Sequence, residues 1–259
     1  MALFGRGRKR REAALAVPFP DAWRLRLATR WPVWMQLDLA ERARLEDLIR
    51  QFLADVRFEA AQGFTVSEEM KLLVAAQASL LGLHLPDDVY RTVTSVIMHP
   101  RTVVLQGQRH VGTGGLVADG PLPISGQAHI RGPVVLAWST VAFEARHPEH
   151  GQNVVYHEFA HQLDMIGGGI DGTPPISDRE LLARWVTVCT EAFGRVRRGG
   201  TSGLRDYAAT DTGEFFAVAT ETFFSVPLEL RETEPALYDV LAAFYGQDPA
   251  ARAERALAS

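Results

Sequence analysis

Two histidines one helical turn apart, with a glutamate beside the first, are the residues of this chain best suited to chemistry: His157-Glu158-Phe159-Ala160-His161. At about 100° per residue, four positions bring His161 to within about 40° of His157 on a helix, so both imidazoles can turn to one ion. Glu158 stands beside the pair, about 60° beyond His161 around the helix, where it can reach a metal-bound water rather than the metal. That layout suits zinc-assisted hydrolysis, in which the ion acidifies a water and a carboxylate takes its proton. The pattern is short, and a random chain of this composition shows it roughly 1–2% of the time. Its surroundings argue against accident. Val154, Val155, Phe159, Ala160 and Leu163 make an apolar helix, Asn153 is available as its N-cap, and Gly167-Gly168-Gly169 stop it. The plain alternative is a helix with two surface histidines and a chance glutamate. Polar residues at 157, 158 and 161 of so apolar a helix need partners once buried, and a metal supplies one.

A catalytic zinc takes a third protein ligand and keeps a position open for water. Asp164 follows His161 by three residues and can support the site, but it stands too close along the helix to complete it. Glu214 and Glu221 both interrupt an apolar helix expected over 213–225. Seven residues apart, they fall about 20° from one face, so periodicity does not choose between them. Without a metal, Glu214 reads as a capping carboxylate paired with Asp211. Glu221 reads equally as the support of a ligand histidine.

The rest of the composition narrows the setting. A chain of 259 residues with 47% apolar content fits one large domain with a sizeable core, or such a core with a small N-terminal extension. A net charge of -4 provides no global field for nucleic acid or an anionic membrane. Arg6, Arg8, Lys9, Arg10 and Arg11 are the only concentrated charge. Because Lys9 and Lys71 are the only lysines and arginine is the default base throughout, that run reads as a solvated tail. Cys189, the single cysteine, sits among Val186, Val188 and Ala192 as a small core residue, and it excludes an intramolecular disulfide. Ala13 to Val17 is too short for a signal-peptide core, and no apolar run approaches membrane-spanning length. A cytoplasmic protein without direct nucleic-acid or membrane contacts is the expectation.

Along the chain, residues 1–20 read as a basic flexible tail. Trp23, Leu27, Trp31 and Trp34, broken by Pro32, read as a short helix and an aromatic anchor. Asp38 with Glu41 forms a capping box ahead of Leu45, Leu48, Ile49, Phe52 and Leu53 at helical spacing. Thr65 with Glu68 starts a helix that is apolar nearly all round from Met70 to Leu81, ends at Gly82 and belongs in the interior. The period then changes. Val93 to Met98, Thr102 to Gln106 and Val134 to Trp138 are short β-prone runs, and the glycine-rich 107–132 reads as a long loop or loose hairpin. Ser177 with Glu180 caps a helix through Val196, and a last helix follows Pro235. Helices, a small sheet and helices again make the fold α+β.

The segments His157–Asp164, Tyr207-Ala208-Ala209-Thr210 and Glu214–Phe224 resemble the Mlc titration factor A family of zinc peptidases. The Trp-rich N-terminal segment, the Gln77-Ala78 helix and Gly132-Pro133-Val134-Val135-Leu136-Ala137-Trp138 share the likeness, which runs from about residue 20 to 249. The resemblance implies a gluzincin, with a catalytic core like that of anthrax lethal factor and one zinc on His157, His161 and a downstream glutamate. In both, a tyrosine precedes the ligand glutamate of a Glu-Phe-Phe-Ala run by seven positions. Tyr207 and Glu214 match that spacing, which makes Glu214 the ligand and Glu221 its support. Tyr207, otherwise a packing tyrosine, then becomes a hydrogen-bond donor to the oxyanion formed when water attacks a carbonyl.

The implied fold is a zincin-like domain over residues 21–250, helical over about 21–90 and catalytic over about 91–250, with a small mixed sheet and a C-terminal tail at 251–259. The implied function is hydrolysis of peptide bonds, aminopeptidase-like on small peptides, with Glu158 as general base. A strand near 129–131 or 134–138 is expected to hold the substrate by β-addition. The other implied function is regulatory, since the family's namesake sequesters a transcriptional repressor.

Overall fold

Most of the chain folds into helices, laid around a small sheet in a computed structural model. It describes residues 2–61, 63–101, 133–200 and 202–258, with side chains from residue 7, and between 102 and 132 the backbone of five short strands. The N-terminal elements are α1 (Ala2–Leu15), α2 (Asp21–Arg30), α3 (Val33–Gln36), α4 (Leu39–Asp55), β1 (Arg57–Ala60), α5 (Glu68–Leu81) and β2 (Ser95–His99). Next come β3 (Val103–Leu105), β4 (Arg109–Val111), β5 (Leu116–Ala118), β6 (Leu122–Ile124), β7 (Gly126–Ala128) and β8 (Val134–Ala137). The helices α6 (Trp138–Glu144), α7 (Val154–Asp164), α8 (Arg179–Arg197), α9 (Thr212–Ser225), α10 (Pro227–Thr233), α11 (Pro235–Tyr245) and α12 (Pro249–Leu257) complete it.

The sheet has the order β1-β2-β8-β7. Its first three strands are parallel, with Arg57 opposite Ser95 and Val96 opposite Val134, and β7 closes it antiparallel, with Gln127 opposite Val135. The sheet is therefore mixed and the fold α+β. Within the glycine-rich stretch, β3 pairs with β6 and β4 with β5, both antiparallel, in the manner of a long nested hairpin. β8 has a neighbour on each side, so its backbone is already spent on the sheet. A substrate strand cannot add to 134–138, contrary to the expectation, and residues 129–131 lie outside the described residues.

Local chemistry sets the helix starts. Asp38 accepts from the Glu41 backbone at 2.9 Å, and Glu41 accepts from the Asp38 N–H at 3.0 Å, closing the expected box on α4. On α5 the cap is Ser67 rather than Thr65, because Glu68 is the first helical residue and not the third. Asp178 takes the same role from Ser177 on α8, accepting from Glu180 and Leu181 at 2.8 and 3.2 Å.

Every residue of α5 from Leu72 to Leu81 is buried. This helix packs against α7, and α7 packs against α9. Phe159 of α7 meets Phe52 of α4 at 5.6 Å and Tyr90 at 5.0 Å between ring centroids. Trp31 donates to the Tyr156 hydroxyl at 3.1 Å, which fastens the N-terminal aromatic segment to α7. One buried cluster thus runs from Phe19 to Ala250. Each fully buried large apolar side chain contributes roughly 1.5–3 kcal/mol, so packing rather than helix propensity holds α7 in place.

Both expected tails fold. Residues 2–15 form α1 along α4, where Arg11 pairs with Asp55 and Arg50 donates to the Leu15 carbonyl at 3.0 Å. At the other end Asp248 caps α12, accepting from Ala251 at 3.0 Å, and the buried Arg252 reaches Glu41 at 2.8 Å. In each case the charged residue's partner lies far away in sequence, where local spacing gives no sign of it.

Candidate metal centre

The helix that carries the paired histidines is fixed at its first turn. Asn153 accepts from the Val155 and Tyr156 N–H groups at 3.1 and 3.0 Å, and Glu144 accepts from Val154 at 2.6 Å. Val155, Phe159, Ala160 and Leu163 are fully buried, which turns His157 and His161 toward α9. Their rings stand 4.8 Å apart and nearly perpendicular.

Three atoms converge between the two helices. His157 Nε2 lies 3.2 Å from His161 Nε2 and 3.1 Å from Glu214 Oε2, and His161 Nε2 lies 3.6 Å from that same oxygen. Donors on a tetrahedral ion at 2.0–2.1 Å stand about 3.3 Å from one another, which these separations bracket. Glu214 Oε2 is buried and makes no hydrogen bond, although both Nε2 atoms face it. Two imidazoles and a carboxylate aimed at one point are a donor set that suits a divalent cation. The residues present fit a metal.

Glu221 holds the other side of the same ring. Its Oε1 accepts from His157 Nδ1 at 2.8 Å and pairs with Arg205, and its Oε2 accepts from the Asn153 N–H at 2.7 Å. With Nδ1 committed to a carboxylate, Nε2 is the ring nitrogen left to face the site. The two carboxylates that periodicity left undecided therefore grip opposite nitrogens of one histidine. Asp211 caps α9 by accepting from the Glu214 backbone at 2.9 Å, so the Glu214 side chain is free of capping duty.

In the metal-free cluster the histidines and carboxylates set one another's charge. Burial opposes a charge on His157, but Glu221, Glu214 and Glu158 outweigh it and hold the imidazole up at about 10. Burial alone would raise Glu214, yet the two histidines pull it well below the ordinary carboxylate range. Glu158 is pushed up to about 7 by burial, against the pull of His157 and His161, and its Oε2 finds no partner. A carboxyl poised near neutrality with an idle acceptor oxygen is what proton transfer at this position needs. Metal binding here would displace protons from the cluster.

Tyr207 stands at the mouth of the site, 44% exposed, on a short 3-10 turn (Asp206–Ala209) ahead of α9. Its ring lies 6.1 Å from that of His157, and the Arg205 guanidinium covers it at 5.5 Å. Burial, with the Glu214 charge next, keeps its hydroxyl protonated well above neutrality. Asp164 takes no place among the converging donors. Its oxygens accept from Gly172 and Thr173 at 2.8 and 3.0 Å and tie down the segment after α7.

Three contributors carry little sequence signal. Arg205 bridges Glu221 and the Tyr207 ring, and nothing in its spacing marks it among so many arginines. Glu144 caps the helix from ten residues upstream. Gln77 accepts from the Asn153 amide at 2.7 Å. A glutamine inside an otherwise apolar helix was the one clue of this kind, since a buried amide must find partners.

Paired histidines, a distant glutamate and a carboxyl beside them are the kind of set that a metallopeptidase uses. The model of the glucose-regulated metallo-peptidase M90 family matches residues 5–246, and the chain belongs to that family. Similar proteins carry the name Mlc titration factor A. One from Serratia proteamaculans is 34% identical over 86% of this chain and 87% of its own length. One from Edwardsiella ictaluri is 34% identical over 91% and 89%. The protein slr2042 of Synechocystis is 32% identical over 90% of this chain and 86% of its own. Membership implies a metal. No helix among the described residues is long and apolar enough to cross a membrane.

Proposed function

We propose that this chain is a zinc-dependent peptidase, with His157, His161 and Glu214 as metal ligands, and that it hydrolyses small peptides in the cytoplasm in an aminopeptidase-like manner. The reading rests above all on the convergence of His157 Nε2, His161 Nε2 and Glu214 Oε2 within 3.6 Å of one another. Zinc in that position would supply Lewis acidity, lowering the pKa of water and polarising a carbonyl. The chain's own groups do the rest. Glu158 Oε2, idle and near neutrality, takes the proton of the attacking water and returns it to the leaving amine. Tyr207 donates its hydroxyl to the carbonyl oxygen as negative charge builds there. Glu221 and Arg205 keep the His157 ring and the Tyr207 ring in register with one another. β7, the outer strand of the sheet and a neighbour of α7, offers the backbone edge on which an extended peptide can lie.

Glu158→Gln tests this mechanism. The variant should keep zinc and fold but lose turnover of peptide substrates, and hydrolysis at the wild-type rate would refute it. A cleavage profile on peptide libraries with free and blocked N-termini tests the aminopeptidase assignment. Preference for blocked ends would overturn it.

A second reading draws on the names of the Serratia and Edwardsiella relatives. Here the chain binds and sequesters a transcriptional repressor through its non-catalytic surface, and peptidase activity is secondary. A His157→Ala protein that still retains such a repressor would support it, whereas loss of binding with the metal would count against it.

A further inference from the structure

We infer that His147, Glu149 and His150 form a second site for a divalent transition-metal ion, on the connection between α6 and α7. His147 Nδ1 stands 2.9 Å from Glu149 Oε1, and His150 Nε2 stands 3.8 Å from the same oxygen. All three donor atoms fall within 4.8 Å of one another. These separations straddle the spacing of about 3.3 Å expected around a tetrahedral zinc ion.

The turn holds the donors in place. His147 donates its backbone N–H to Phe143 at 3.1 Å, and His150 donates to the His147 carbonyl at 3.2 Å. Gly151 ends the 3-10 turn Pro148–His150 at φ +68° and donates to Pro148 at 2.9 Å. That left-handed position favours glycine, and a Cβ there would press on Val226 at 3.3 Å. The Phe143 ring backs both imidazoles, at 4.7 Å from His147 and 5.4 Å from His150. Two rings and a carboxylate are thus gathered on one side of a rigid turn, and the ion-pair partners of Glu149 are these two histidines.

Two imidazole nitrogens and one carboxylate oxygen suit zinc, nickel or copper, not the oxygen-seeking magnesium or calcium. The side chains are 43%, 63% and 54% exposed for His147, Glu149 and His150, so water completes the coordination and the ion exchanges freely. This site therefore binds more weakly than the buried one. It lies between Glu144 and Asn153, the residues that cap the metal helix, so an occupant fastens the segment leading into α7.

Titration of the untagged, metal-free full chain with zinc, followed by equilibrium dialysis, should show a second and weaker equivalent. His147→Asn with His150→Asn should remove that equivalent and leave the tight one. His157→Asn with His161→Asn should do the reverse, and copper added to this second variant should give an EPR spectrum with imidazole nitrogen couplings. A wild-type chain that binds a single equivalent overturns the inference. So does a second equivalent that survives the His147/His150 double substitution.

Discussion

Replacing Glu221 separates the ligand of the metal from the support of the ligand. In the structure its carboxylate is 2% exposed and receives three donors: the His157 ring N–H, the Asn153 backbone N–H and Arg205. Glu221→Ala leaves the His157 ring free to turn and to change tautomer while all three converging donors remain. Loss of such a support costs about 10–100-fold in metal affinity, or roughly 1.4–2.7 kcal/mol. Glu214→Ala removes a donor outright and should lower affinity by more than about 100-fold. Glu221→Gln refines the comparison. An amide has one acceptor oxygen where the carboxylate has two, so its NH2 must face one of the donors. With the oxygen turned to His157, zinc affinity should stay near wild type, while the orphaned Asn153 N–H costs roughly 1–3 kcal/mol of stability. Zinc affinity by competition with a chromogenic chelator, and stability of the metal-free proteins by urea titration, measure the two effects separately. The reasoning is refuted if Glu221→Ala empties the site while Glu214→Ala retains zinc, or if Glu221→Ala leaves affinity unchanged.

Tyr207→Phe should leave zinc content and stability unchanged, because the residue is 44% exposed, but lower kcat by about 10²–10³-fold with little change in KM; an unchanged kcat in steady-state peptide hydrolysis would remove Tyr207 from the mechanism. Glu144 carries a pH signature in the metal-free protein. Burial pushes its carboxyl up from 4.5 to about 7, against the pull of the Val154 N–H. A raised carboxyl favours the folded state below the unfolded value, and that contribution is lost as the pH climbs through about 7. Glu144→Gln keeps the acceptor for Val154 and removes the titration, so the stability difference between variant and wild type should grow in favour of the variant by up to about 3 kcal/mol between pH 4.5 and 8. Urea titrations across that range measure it, and a difference independent of pH would contradict the burial argument.

The layout of the helix that bears the paired histidines was legible because it is local. His157, Glu158 and His161 are placed by helical periodicity alone, Asn153 caps the helix as its side chain and position demand, and the surrounding apolar residues bury it. The capping box on α4, the interior character of α5 and the α9 span of 212–225 are local in the same sense. Strand pairing was less so: β1 has the sequence Arg-Phe-Glu-Ala and little apolar alternation, so only its neighbour β2 marks it as a strand.

Sequence by itself determined the paired histidines, the idle glutamate beside them and a second helix bearing two eligible carboxylates. Tertiary structure decided which carboxylate goes where. Glu214 and Glu221 share a face of α9, and only the packing of α9 on α7 sets one at His157 Nε2 and the other at Nδ1. The same holds for Arg205 beneath Tyr207, for Arg252 buried on Glu41, and for the N-terminal arginines drawn to Asp55. Periodicity fixes the direction of a side chain around its own helix. What it meets there depends on contacts between residues far apart in the chain, which only the packed core brings together.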